Sequence, residues 1–148
     1  MENEPRTDAT CPFCEPKEGG HNRMLRQNAL AYLTLSNPRK APGHVLVIPK
    51  RHIEKAWELT REEIQDTHDL IFFAQKQILQ HQLGTGTQVR QNYMPYIAEG
   101  TLKVDHVHYH VMPRSENDEI YKRADKAENE LFQALPNEER ERLEPLFC

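Results

Sequence analysis

An α+β fold with an antiparallel sheet is what this chain predicts, and three observations carry the prediction. A capped stretch with helical periodicity covers residues 61–83, two β-forming runs flank turn chemistry at 37–43, and residues 104–112 alternate with a period of two. The 148 residues suffice for one domain with a short tail.

Taken in order, residues 1–10 are polar and expected to fray, and Cys11-Pro-Phe-Cys14 forms a knuckle followed by a polar stretch with Gly19-Gly20. Residues 29–36 (ALAYLTLS) read as a strand stopped by Asn37-Pro38, and His44-Val-Leu-Val-Ile48 reads as a second strand between Pro42-Gly43 and Pro49. The two are expected to pair as a hairpin. Thr60-Arg-Glu-Glu63 is a capping box, and Ile64, Ile71, Ala74, Ile78 and Leu79 recur behind it at helical spacing until Gly84 supplies the stop. Residues 88–93 are a candidate strand, and 97–100 a loop. Residues 104–112 are expected to form a strand with two different faces. From 116 onward Ala124, Ala127, Leu131 and Leu135 suggest helix, interrupted at Pro136-Asn137, with a short helix over 138–144. The expected division is a flexible 1–10, a domain over 11–115 and a helical extension over 116–148.

Composition narrows the function classes. A net charge of −4 argues against duplex nucleic acid as a partner, which needs a basic face. The longest apolar run, Leu70 to Ala74, is far short of a bilayer span, and the first ten residues have no apolar core of a secretory signal. Three cysteines, two of them in Cys11-x-x-Cys14, suit a reducing compartment and a metal clip, so a cytoplasmic location is expected.

His106-Val-His-Tyr-His110 carries the chemistry. On a strand, positions i, i+2 and i+4 share a face, so His106, His108 and His110 would form a row with neighbours about 6.5–7 Å apart. Imidazole serves as metal ligand, general acid or base, or nucleophile toward phosphorus. The two-residue spacing of Cys11 and Cys14 lets both thiolates reach one tetrahedral zinc. The remaining ligands would come from His21, His44, His52 or one end of the histidine row.

Pro42-Gly-His-Val-Leu-Val-Ile-Pro-Lys-Arg-His52, followed by His106-Val-His-Tyr-His-Val-Met-Pro-Arg114, strongly resembles the histidine triad family of nucleotide hydrolases and transferases, over roughly residues 9–115. The resemblance implies a five-stranded antiparallel sheet with one long helix, paired into a homodimer. It implies cleavage of a nucleotide at its α-phosphate, with His108 as the nucleophile that forms a nucleotidyl-histidine, His110 contacting phosphate oxygens and His44 supporting the row. The family's zinc-bearing branch implies one structural zinc per chain on Cys11, Cys14, His52 and His106.

Two departures bear on the nucleotide. Where many members carry glutamine shortly before the triad, this chain has Gly100-Thr-Leu-Lys-Val-Asp105, so Thr101 is the substitute donor. The ribose-holding position falls by count on Ser36, with Asn37 beside it, and Asn92 is a further candidate for phosphate contact or loop ordering. Arg39, Lys40, Lys50 and Arg51 are candidate phosphate attractors, with solvated surface as the commoner role. Trp57 is more readily core packing than a stacking platform, while Tyr93, Met94 and Tyr96 are candidates to line the leaving-group side. Two other function classes stand beside the hydrolase: a metal-dependent hydrolase with all three triad histidines on a catalytic zinc, and a noncatalytic nucleotide-binding protein.

Overall fold

Leu33, Val47 and Val111 sit on three neighbouring strands and bury themselves against one helix, and the domain is built around that contact. The computed structural model describes residues 11–14, 24–100 and 102–148, so the expectations for residues 1–10, Gly19-Gly20, His21 and Thr101 lie outside the described residues. Two compact units divide the chain, Met1–Glu116 and Asn117–Cys148.

The first unit holds a five-stranded antiparallel sheet of β1 (Arg26–Gln27), β2 (Ala31–Leu35), β3 (Val45–Pro49), β4 (Gly86–Arg90) and β5 (Tyr109–Arg114). Their order across the sheet is β1-β2-β3-β5-β4. The expected hairpin is the β2–β3 pair, in register at Leu33↔Val47. Gly43 makes its turn with φ +87, a conformation that favours glycine, and the next residue is His44. Helix α1 (Arg61–Gln80) covers one face with Leu70, Ile71, Ala74 and Ile78. Tyr32, Leu46 and Ile48 point to the opposite face and pack with Phe13 of the cysteine knuckle.

The capping box forms as read: Glu63 N–H donates to Thr60 Oγ1 at 3.1 Å, and Thr60 N–H to Glu63 Oε1 at 3.0 Å. Both Glu63 carboxylate oxygens also accept from Arg51, at 2.6 and 3.0 Å. That clamp ties the segment carrying His52 to the start of α1. It also holds the buried Glu63 carboxyl below its ordinary pKa, chiefly through the Arg51 hydrogen bonds.

Several expectations are corrected. Ile64 and Leu79 are exposed, and the buried stripe of α1 includes Thr67 and Leu70 instead. The helix ends at Gln80, with Gln82 in the left-handed turn (φ 56). Gly84 serves a different purpose, because a Cβ there would lie 2.9 Å from the Arg114 backbone. β1 was invisible to patterning, being two polar, exposed residues. β4 occupies 86–90 rather than 88–93.

The most consequential correction concerns the histidine strand. β5 begins at Tyr109, so His106 and His108 precede it and His110 alone lies on it. The ladder with β3 stops at Val47↔Tyr109, approaching Pro49, which has no N–H to donate. Val107 N–H instead donates to Ile53 O at 2.7 Å, and its side chain is buried with Ile53 and Leu59.

In the second unit, Tyr121–Asp125, Lys126–Glu128 and Asn129–Leu131 are helical in succession, and Asn137–Leu143 forms a separate helix after Pro136. Leu135, expected in helix, lies between them, because Phe132 turns extended with ψ 126.

Candidate functional site

The site grows from the face of the sheet opposite α1. Pro-Gly turn geometry delivers His44 at the mouth of β3, and sheet pairing sets His110 beside Leu46 and Arg90. His44, 2% exposed, approaches His110 with 2.9 Å between Nε2 and Nδ1.

Backbone partners determine which nitrogen of each ring carries the proton. Lys40 N–H donates to His44 Nδ1 at 3.1 Å, so the neutral His44 ring is protonated at Nε2 and donates to His110 Nδ1. His110 therefore carries its own proton at Nε2. His108 is fixed the other way: Nδ1–H donates to His106 O at 2.7 Å, which leaves Nε2 with a free lone pair. One ring presents an N–H and its neighbour a lone pair, with centroids 5.0 Å apart.

Burial keeps all of these rings neutral. It lowers His108 below the ordinary imidazole value. His44 falls to about 4, through burial and then the Lys40 charge. His110 falls to about 3, through burial and then the neighbouring charges of His108, His44, Lys40 and Arg90.

His106 turns away from this pair toward the cysteines. Its Nδ1 lies 3.5 Å from Cys11 Sγ and 3.6 Å from Cys14 Sγ, while Cys14 Sγ lies 3.1 Å from His52 Nδ1. The four donor atoms all fall within 4.8 Å of one another. Zinc–sulfur and zinc–nitrogen bonds at tetrahedral angles place S and N about 3.5 Å apart, so this donor set fits zinc. The outer shell fits as well. His106 Nε2–H donates to Pro49 O at 2.7 Å, which leaves Nδ1 for a metal, and Glu54 Oε1 lies 3.7 Å from His52 Nε2. Burial lowers His106 to about 4, which keeps its ligating nitrogen unprotonated. The arrangement runs against a catalytic zinc on all three triad histidines, since of these three only His106 belongs to the metal-ligating group found among the described residues.

Phe13, inside the Cys11/Cys14 spacer, links the two centres, and residue patterning passed over it. Its ring is buried edge-on against His106 (6.0 Å) and His108 (5.1 Å), and its carbonyl accepts from Tyr32 Oη at 2.6 Å. A large apolar residue inside a polar arm was the signal that could have found it.

A cavity of about 270 Å³ opens over His44, His108 and His110, with Ser36, Asn37 and Lys40 on its wall. Ser36 Oγ donates to Pro38 O at 2.8 Å. Asn92 lies apart from Ser36 and Asn37, on a second cavity that shares His108 and His110 and also takes in Tyr93 and Met94. Arg51 is engaged by Glu63, and Lys50 donates to Gln27 Oε1 at 2.8 Å, so of the four candidate cations Arg39 and Lys40 remain at the site. Trp57 is not core: it is 66% exposed, with its ring edge-on to Tyr93 at 5.0 Å.

A family model described as "HIT domain" matches residues 20–117. A bis(5′-adenosyl)-triphosphatase of Dictyostelium discoideum is 32% identical over 84% of this chain and 89% of its own length. An adenosine 5′-monophosphoramidase of Schizosaccharomyces pombe is 31% identical over 71% of this chain and 74% of its own. Among solved structures, a Streptococcus mutans protein superposes with a TM-score of 0.69 at 23% identity, covering 94% of this chain and 82% of that one. A HIT family protein from Bacillus anthracis gives 0.68 at 19%, covering 94% and 95%. These two structures share the fold.

Proposed function

Because this chain belongs to the HIT-domain family, we propose that it is a nucleotide hydrolase that cleaves at an α-phosphate through a nucleotidyl-His108 intermediate. The observation that carries the reading is the pair of opposed tautomers, with a lone pair on His108 Nε2 beside a proton on His110 Nε2.

His108 Nε2 donates its pair to phosphorus while the bond to the leaving group breaks and that group takes its electrons. His110 Nε2–H faces the charge that develops on the phosphate oxygens, and His44 holds His110 in the donating tautomer. Water then cleaves the N–P bond and the pair returns to His108. Arg39 and Lys40 supply positive charge on the nucleotide side, beside Ser36 and Asn37 as the ribose-holding candidates. Asn92, on the second cavity, and Thr101 complete the nucleotide-contact set of this reading. A zinc on Cys11, Cys14, His52 and His106 would be structural, supplying folding free energy and holding the arm that carries Phe13.

The reading is tested by rapid quench with a nucleoside phosphoramidate, followed by peptide mass spectrometry. A nucleotidyl mass increment on the His108 peptide supports it. Steady turnover with no adduct on His108 at any quench time removes it.

The homodimer is part of the same proposal. Ile64, Phe72 and Leu79 leave exposed apolar side chains along the outer side of α1, and β4 is an open sheet edge tied to that helix through Gln75 Nε2 and Thr87 Oγ1 at 2.9 Å. Light scattering at twice the 17.4 kDa chain mass supports pairing, and 17.4 kDa at working concentration removes it.

A further inference from the structure

Cys11 and Cys14 are placed to bond to one another as well as to a metal. Cys14 N–H donates to Cys11 O at 3.3 Å, which closes a turn. Such a turn keeps its end Cα atoms within about 7 Å, the span that a disulfide bridges. The two sulfurs already lie within 4.8 Å of each other. Both cysteines are half-buried and Pro12 between them is exposed, so a small oxidant reaches the pair from solvent. Thiolate, the form that ligates a metal, is also the form that a peroxide oxidises.

Two contacts link this pair to His108. Phe13, carried on the turn itself, packs edge-on to the His108 ring at 5.1 Å. His106, whose Nδ1 lies 3.5 Å from Cys11 Sγ, supplies through its carbonyl the acceptor that fixes His108 Nδ1–H at 2.7 Å. A bond between the sulfurs draws them together and tightens the turn, while His106 loses the neighbours that hold it in place. Both supports of the His108 ring are then disturbed at once.

We propose that Cys11 and Cys14 form a reversible redox site, at which a hydroperoxide joins them in a disulfide, dismantles the zinc donor set and lowers turnover at His108. The effect on turnover rests on the hydrolase reading above; the disulfide and the loss of metal do not. One thiolate attacks the peroxide, so that an S–O bond forms, the O–O bond breaks and an alkoxide or hydroxide leaves. The other thiolate attacks the resulting sulfenic sulfur, the S–S bond forms and hydroxide leaves. The two sulfurs lose two electrons and the peroxide gains them. His52 and His106 then remain, two donors where a structural zinc takes four. Exchange with a reducing thiol breaks the disulfide and restores both thiolates.

The test uses the full chain in zinc-loaded form, with Cys148→Ser to remove the exposed third thiol, and hydrogen peroxide as the oxidant. A chromogenic chelator follows zinc release, peptide mass spectrometry reads the Cys11–Cys14 bond, and a nucleoside phosphoramidate reports turnover. Zinc should leave at the rate at which the disulfide forms, and kcat should fall about tenfold or more in step with it. Dithiothreitol with added zinc should restore the metal and the rate, which reversal of methionine oxidation would not do. Peroxide that releases no zinc, sulfurs oxidised without joining, or a loss that thiol and zinc fail to restore overturns the redox site. A disulfide-bonded, zinc-free protein that keeps its full rate overturns the link to His108. Absence of turnover before any oxidation overturns the hydrolase reading instead, and the zinc and disulfide measurements still decide the redox site.

Discussion

His44 Nε2 donates to His110 Nδ1 across 2.9 Å, and because Lys40 N–H occupies the other nitrogen of His44, the bond has one direction. A backbone amide of the loop after β2 thereby determines which end of His110 carries a proton, two residues beyond His108. In the proposed reaction this relay matters as well as the histidines themselves.

The relay predicts an order of losses. His108→Ala should abolish turnover while nucleotide binding survives, since no other described nitrogen presents a free pair at that position. His110→Ala should cost roughly a hundredfold, the usual range for one lost donor at developing charge. His44→Leu should be milder, and His44→Gln milder still, because its amide can donate to His110 Nδ1 as the imidazole does. Steady-state kinetics on one phosphoramidate substrate read the order. A His44→Leu protein slower than His110→Ala would contradict it.

Removing a zinc ligand should give a different signature. Cys14→Ser should lose the metal and lower the melting temperature markedly, because a structural zinc contributes folding free energy. Wild-type turnover should not depend on added metal once the site is filled. Elemental analysis of protein purified without chelators should find one zinc per chain.

Phe13→Ala should destabilise by about 3–5 kcal/mol, the usual cost of truncating a buried phenylalanine. It should also lower kcat, because His108 loses the ring packed 5.1 Å from it. Phe13→Leu should recover most of the stability and less of the rate. Urea melts and kinetics on the same preparations separate the two effects.

Acid should destabilise the fold through His44 and His110. Their folded values, about 4 and about 3, lie below the ordinary 6.5, so as pH falls the unfolded chain takes up protons first. Stability should therefore be complete above about pH 6.5 and fall steadily below it. The ceiling is about 2 kcal/mol for each histidine at pH 5. A His44→Gln/His110→Gln protein should show a shallower loss between pH 7 and pH 5 in urea melts. Equal slopes for the two proteins would refute the assignment.

What could be read from the residues is what local chemistry decides. Thr60 and Glu63 announce a helix start whatever surrounds them, because the capping box closes within four residues. Residues 29–36 and 44–48 announce a hairpin because β-formers meet Pro and Gly at the turn. Cys11 and Cys14 were legible from their spacing and His52 and His106 from a resemblance, and the fold brings the four donor atoms within 4.8 Å of one another. What was not legible depended on partners distant in the chain. Alternation over 104–112 promised one strand, yet its first half has no β3 amide to pair with once Pro49 is reached, so the triad divides: His106 joins the cysteines and His52, while His108 and His110 stay together beside His44.

By itself, then, the sequence determined which side chains are present, the helix that backs the sheet, and the turns that deliver His44 and end β3, since each depends on neighbours within a few residues. Tertiary structure decided the tautomer of His110, the burial of Phe13 against His106 and His108, the capture of Arg51 by Glu63, and the lining of the two cavities. Each of these is a contact between residues many positions apart, and no periodicity along the chain encodes which backbone carbonyl or amide a ring will meet.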